Sequence, residues 1–87
     1  MYDRVMRGLR LKYGVSCREL AESVKMSRQR IVQIEMMPEK STGYQLAMVQ
    51  TAFENVILQR RAQVNALEED YNAMKNSLLE YQEVHNA

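Results

Sequence analysis

Residues 13–35 read Tyr13-Gly14-Val15-Ser16-Cys17-Arg18-Glu19-Leu20-Ala21-Glu22-Ser23-Val24-Lys25-Met26-Ser27-Arg28-Gln29-Arg30-Ile31-Val32-Gln33-Ile34-Glu35. This stretch decides the fold. Gly14 can take the left-handed conformation that ends a helix. Ser16 then opens a new one, and Glu19 stands three residues on, so Ser16-Cys17-Arg18-Glu19 predicts a capping box. Leu20, Ala21 and Val24 give that helix its apolar face. Ser27 predicts the cap of another helix, carrying Ile31 and Ile34 inward. Two short helices joined by Val24-Lys25-Met26 must approach closely, which needs a small residue at the crossing, here Ala21. The outer face at the start of the second helix, about residues 27–37, is left free.

Working outward, helix periodicity predicts a first helix over about Tyr2–Lys12, with Tyr2, Met6, Leu9 and Tyr13 on one face. Pro38 and the polar residues up to Gly43 mark a loop. A fourth helix is expected over about Thr42–Glu54, with Leu46, Val49 and Phe53 on one side. From Val56 to Val84 the chain has no Gly or Pro. Ile57, Val64, Leu67, Tyr71, Met74, Leu78 and Tyr81 follow three- and four-residue steps broken by Arg60, a heptad stripe. Sequence leaves open whether the fourth and fifth helices join near Glu54-Asn55. The expectation is an all-α chain, with a head over 1–55 and a long helix over 56–87.

The 87 residues allow one small core plus an appendage. No apolar run approaches a membrane span, and the N-terminus shows no signal-peptide pattern. The formal net charge is +1, but it is unevenly spread. Residues 1–35 carry a surplus of four positive charges and residues 36–87 a surplus of three negative ones. A basic front suggests that one end meets phosphate. The single Cys17 excludes an internal disulfide and suits a reducing compartment. His85 has no partner for metal binding, and no paired carboxylates or nucleophile–base pair stand out, so neither an enzyme nor a cofactor or metal is expected. The seven methionines read as core filler.

Together these features describe a helix-turn-helix. The segment from Met6 to Glu35 resembles, without a gap, the helix-turn-helix family of lambdoid phage repressors and Cro proteins, the XRE family, and more loosely through the fourth helix. The residues that carry the resemblance are Met6…Arg10, Glu19-Leu20-Ala21 and Ser27-Arg28…Ile31…Ile34-Glu35. The resemblance implies a sequence-specific DNA-binding transcriptional regulator, cytoplasmic in a bacterium or phage-encoded, with double-stranded DNA as partner. It implies base-edge contacts from Arg28, Gln29 and Gln33, whose side chains match guanine and adenine edges. It implies phosphate contacts from Ser16, Arg18, Ser27, Arg30 and Lys12. Arg10 and Glu35 match a buried salt bridge between the first and third helices. Three positions depart from the pattern: Lys25 replaces a turn glycine, Cys17 a phosphate-binding glutamine, and Met36-Met37-Pro38 the usual polar ending.

A plain three-helix core with solvated arginines is the bland alternative. The C-terminal stripe has three readings: it pairs with its own copy in a homodimer, folds back on the head, or binds a different protein. Tyr71 and Tyr81 in the stripe, with Arg60 interrupting it, are unusual for a tight parallel zipper and favour a short, imperfect or antiparallel pairing. On the last reading the chain is an interaction module, an antitoxin or phage inhibitor that also represses its own operon.

Overall fold

A computed structural model describes residues 4–81. It contains helices α1 (Val5–Lys12), α2 (Cys17–Ser23), α3 (Arg28–Met36) and α4 (Gly43–Met74). A short 3-10 turn, Pro38–Lys40, joins α3 to α4. No strand occurs among the described residues.

The two tight turns are built alike. At the end of α1 the Val15 amide donates to the Arg10 carbonyl and the Gly14 amide to Leu11. At the end of α2 the Met26 amide donates to Ala21 and the Lys25 amide to Glu22. Both are Schellman endings, in which a left-handed residue reverses the chain and the next residue buries its side chain. Gly14 takes that conformation at φ 61 and Lys25 at φ 57. For Lys25 a Cβ meets the steric cost that glycine escapes. Lys25→Gly is therefore expected to raise stability by about 0.5–1 kcal/mol, seen as a higher melting temperature; an unchanged or lower one contradicts this reading.

The core joins Val15, Cys17, Leu20, Ala21, Ile31, Ala52 and Val56, with Met6, Val24, Met26, Val32 and Phe53 packed on it. Leu20 and Ile31 are fully buried, and Val56 is 1% exposed. The junction left open at Glu54-Asn55 is continuous: the fourth and fifth helices are one helix, α4. Other expectations are corrected by the packing. The buried face of α4 is Val49, Ala52 and Val56, whereas Leu46 is exposed. The head thus extends past residue 55. Met6 and Met26 fill the core, but Met36, Met37 and Met74 lie exposed. Leu9 and Tyr13 also remain largely exposed. The expected start of α1 at Tyr2 and the segment through Val84, with His85, lie outside the described residues.

Polar contacts fasten α4 to the head. The Asn55 side-chain Nδ2 donates to the Ser23 carbonyl at 3.0 Å. The Ser23 hydroxyl lies 2.7 Å from the Leu20 carbonyl and 3.3 Å from that of Ala52. Arg60, the residue that breaks the stripe, donates to the Tyr13 and Gly14 carbonyls at 2.6 and 3.0 Å. Its Nε and Nη2 also reach the Glu19 carboxylate at 3.2 and 2.9 Å. It satisfies carbonyls just past the end of α1, where a cation is electrostatically favoured.

Glu19 is therefore drawn to Arg60. Only half of the expected capping box is formed: the Ser16 hydroxyl accepts from the Glu19 amide, while the Glu19 side chain turns to α4. A reciprocal box stands instead at α4, between Thr42 and Gln45. Beyond the head α4 continues to Met74, so Leu78 and Tyr81 of the expected stripe fall past its end. The 32 residues of α4 span about 48 Å at 1.5 Å each, which accounts for most of the molecule's 54 Å longest extent.

Candidate nucleic-acid interface

The Ser27 hydroxyl accepts from the Arg30 amide at 3.2 Å and so fixes the first turn of α3. The remaining first-turn amides have no partner within the helix itself. Ile31 and Ile34 pin the inner face, and Arg28, Gln29, Arg30 and Gln33 are exposed. Four long polar side chains on one helix can donate to phosphates and base edges together.

The orientation of α3 is held from below. Arg10 donates through Nε and Nη2 to both oxygens of Glu35, each at 2.6 Å, and through Nη1 to the Val15 carbonyl at 3.0 Å. Both residues are buried, at 9% and 7% exposure. The hydrogen bonds to Glu35 raise the Arg10 pKa above its ordinary value, against the opposing effect of burial, and the Glu35 charge adds to the rise. A raised arginine pKa gives stability that is lost only as pH climbs through it, so Arg10 stays charged at any working pH. The pair ties the end of α3 to α1, independent of the exposed face.

Two open grooves flank α3, each about 390 Å³. One is lined by Arg30, Gln33, Met37, Lys40 and Gln45. The other is lined by Lys25, Ser27, Arg30, Tyr44 and Gln45. Arg30 stands where they meet. The structure thus gathers Ser27, Arg30 and Gln33 with Lys25, Lys40 and Tyr44 around one side of α3. Arg28 and Gln29 are exposed at its start and line neither groove. Lys12, Ser16 and Arg18 are exposed and also line neither; the Lys12 ammonium sits 5.5 Å from the Tyr13 ring centre. Cys17, at the phosphate-binding position of the resemblance, is buried in the core.

Sequence reasoning missed Lys25, Lys40, Tyr44 and Gln45 as members of this surface. For Lys25 the available signal was local, since it stands two residues before the Ser27 cap; Lys40, Tyr44 and Gln45 are brought there by the path of the chain from α3 to α4. Among the described residues no three metal-ligating side chains come together, and no helix is long and apolar enough to cross a membrane. The chain matches no known protein family, no curated protein and no solved structure.

Proposed function

We propose that the chain is a sequence-specific DNA-binding regulator that lays α3 in the major groove and acts as a homodimer. The observation that carries this reading is α3 itself: a capped helix with an apolar inner face and Arg28, Gln29, Arg30 and Gln33 exposed. Lys25 and Lys40 flank it and extend the positive surface along the grooves. Arg28, Gln29 and Gln33 are assigned to base edges. Ser27, Arg30, Lys25 and Lys40 are assigned to the backbone, with Ser16, Arg18 and Lys12 as outer phosphate contacts. Cytoplasmic residence and a bacterial or phage source belong to the same reading.

The test is an anisotropy titration of the full chain against labelled duplexes from its genomic neighbourhood, repeated between about 50 and 200 mM salt. Neutralising several phosphates predicts affinity that falls steeply, by a factor of about 10³ or more over that range for six contacts. Absence of salt-sensitive binding to every duplex contradicts the proposal.

A second reading has its own observation. The stripe residues Ile57, Val64, Leu67, Tyr71 and Met74 are 47–67% exposed along α4. They are not folded back on the head, so they are available to another chain. If that chain is a different protein, the regulator is an antitoxin or phage inhibitor that also controls its own operon. A stable hetero-complex purified from the source cell supports it.

A further inference from the structure

We infer that α4 pairs with α4 of a second copy in antiparallel orientation, about a two-fold axis lying between Asn65 and Ala66. The pairing itself does not rest on DNA binding. It deepens the homodimer reading by fixing orientation, register and the contacts that select them.

The argument begins with the stripe that is still helical. It consists of Ile57, Val64, Leu67, Tyr71 and Met74, with Arg60 between. In an antiparallel pair each a position faces a d position of the other helix, so facing residue numbers share one sum. With that sum at 131, Ile57 meets Met74, Arg60 meets Tyr71 and Val64 meets Leu67 of the second copy. The helical part of the stripe is self-complementary and has no overhang.

The charges flanking the stripe agree. In the same register, the residues beside the core face one another with a sum of 129. Arg61 then faces Glu68, and Glu54 faces Lys75, each pair occurring twice by symmetry. All four side chains are exposed and able to reach a second helix. A parallel pair would stack two Arg60 guanidinium groups that are each already bonded to the Tyr13 and Gly14 carbonyls and the Glu19 carboxylate of their own head. The antiparallel pair instead sets the remaining face of each against the ring of Tyr71 of the second copy.

The head offers room for the partner's end. Leu9, Tyr13, Phe53, Val56 and Ile57 line an apolar groove of about 340 Å³ on the side of α4 that the stripe continues. In this register Met74 of the second copy arrives at Ile57, the groove's edge. On the DNA reading, the same geometry spaces the heads. The two Val56 residues lie about 29 Å apart along the rod, on the scale of one turn of DNA, about 34 Å.

The experiment is sedimentation equilibrium on the full chain without DNA, at low salt. It compares the native protein with Arg61→Glu, Glu68→Arg, the double variant, and an equimolar mixture of the two single variants. Neither position has a charged residue three or four places away in α4, so the exchange leaves local helix pairs alone. Each single change makes two contacts repulsive and should weaken self-association by about tenfold or more. The double variant should return to within about threefold of the native protein, and the mixture should dimerise equally well as a heterodimer. A native chain that stays monomeric at about 100 µM overturns the inference. So do single variants that associate like the native protein, or a mixture that is not restored. DNA binding is measured separately, so its failure leaves this result standing.

Discussion

Glu35→Ala is expected to lower the stability of the head by about 3–5 kcal/mol. Arg10 would then remain charged and buried, with only the Val15 carbonyl beside it. Removing one partner of a buried pair costs more than the pair contributes, because the remaining charge has lost both water and counter-ion. A small domain holds only about 5–15 kcal/mol in total, so the variant should be largely unfolded at modest denaturant. Replacing both partners separates this cause from simple loss of volume. Arg10→Met with Glu35→Met removes both charges and should cost no more than about 2 kcal/mol, what remains being the orphaned Val15 carbonyl. Urea unfolding of the three proteins checks this. A single variant less than about 1 kcal/mol below the native protein would show that the pair is solvated.

The second large effect concerns α3. Arg28→Ala should reduce discrimination at one base pair by about 1–3 kcal/mol while leaving binding to unrelated DNA nearly unchanged. Lys40→Ala, on the groove beside Gln33, should instead weaken all duplexes alike and lower the salt slope by about one unit. Competition titrations with single-base variants of a bound site separate the two patterns. Equal, sequence-blind losses from both variants would place Arg28 on phosphate and not on a base.

What the sequence could show follows from how far each signal reaches. Gly14, Ser16, Ser27 and Thr42 act on amides and carbonyls within a few residues, and each marks an element boundary that the structure also has. Lys25 stood out only through the resemblance, as the residue in place of a turn glycine, and it takes the left-handed conformation. Signals that depend on distant partners were legible only where the resemblance supplied the partner, as for Arg10 and Glu35. Arg60 appeared only as a break in a periodic stripe, yet it reaches carbonyls 46 and 47 residues away and draws Glu19 out of its local cap. Leu46 and Ala52 illustrate the same limit. Hydrophobicity favoured the larger side chain, but the close approach of α4 to α2 buries the alanine and leaves the leucine outside. The continuity of α4 was hidden because no residue near Glu54-Asn55 either breaks a helix or demands one. The end at Met74 was equally silent, since the periodic pattern runs on without a Gly or Pro.

The candidate surface divides along the same line. Arg28, Gln29, Arg30 and Gln33 follow from helix phase alone, once Ile31 and Ile34 are known to face inward. Lys40 and Tyr44 join them only through the turn after Met37, whose path depends on packing between α3 and α4.

Selection from a random pool of duplexes at about 0.15 M salt, using the full chain, tests the central claim most directly. The account predicts enrichment of a defined site bound at least about a thousandfold more tightly than the starting pool. Its two related halves should lie about one DNA turn apart, and Arg28→Ala should lose the preference. A pool that emerges without enrichment, or one bound no better than random DNA, would contradict the claim that α3 reads sequence.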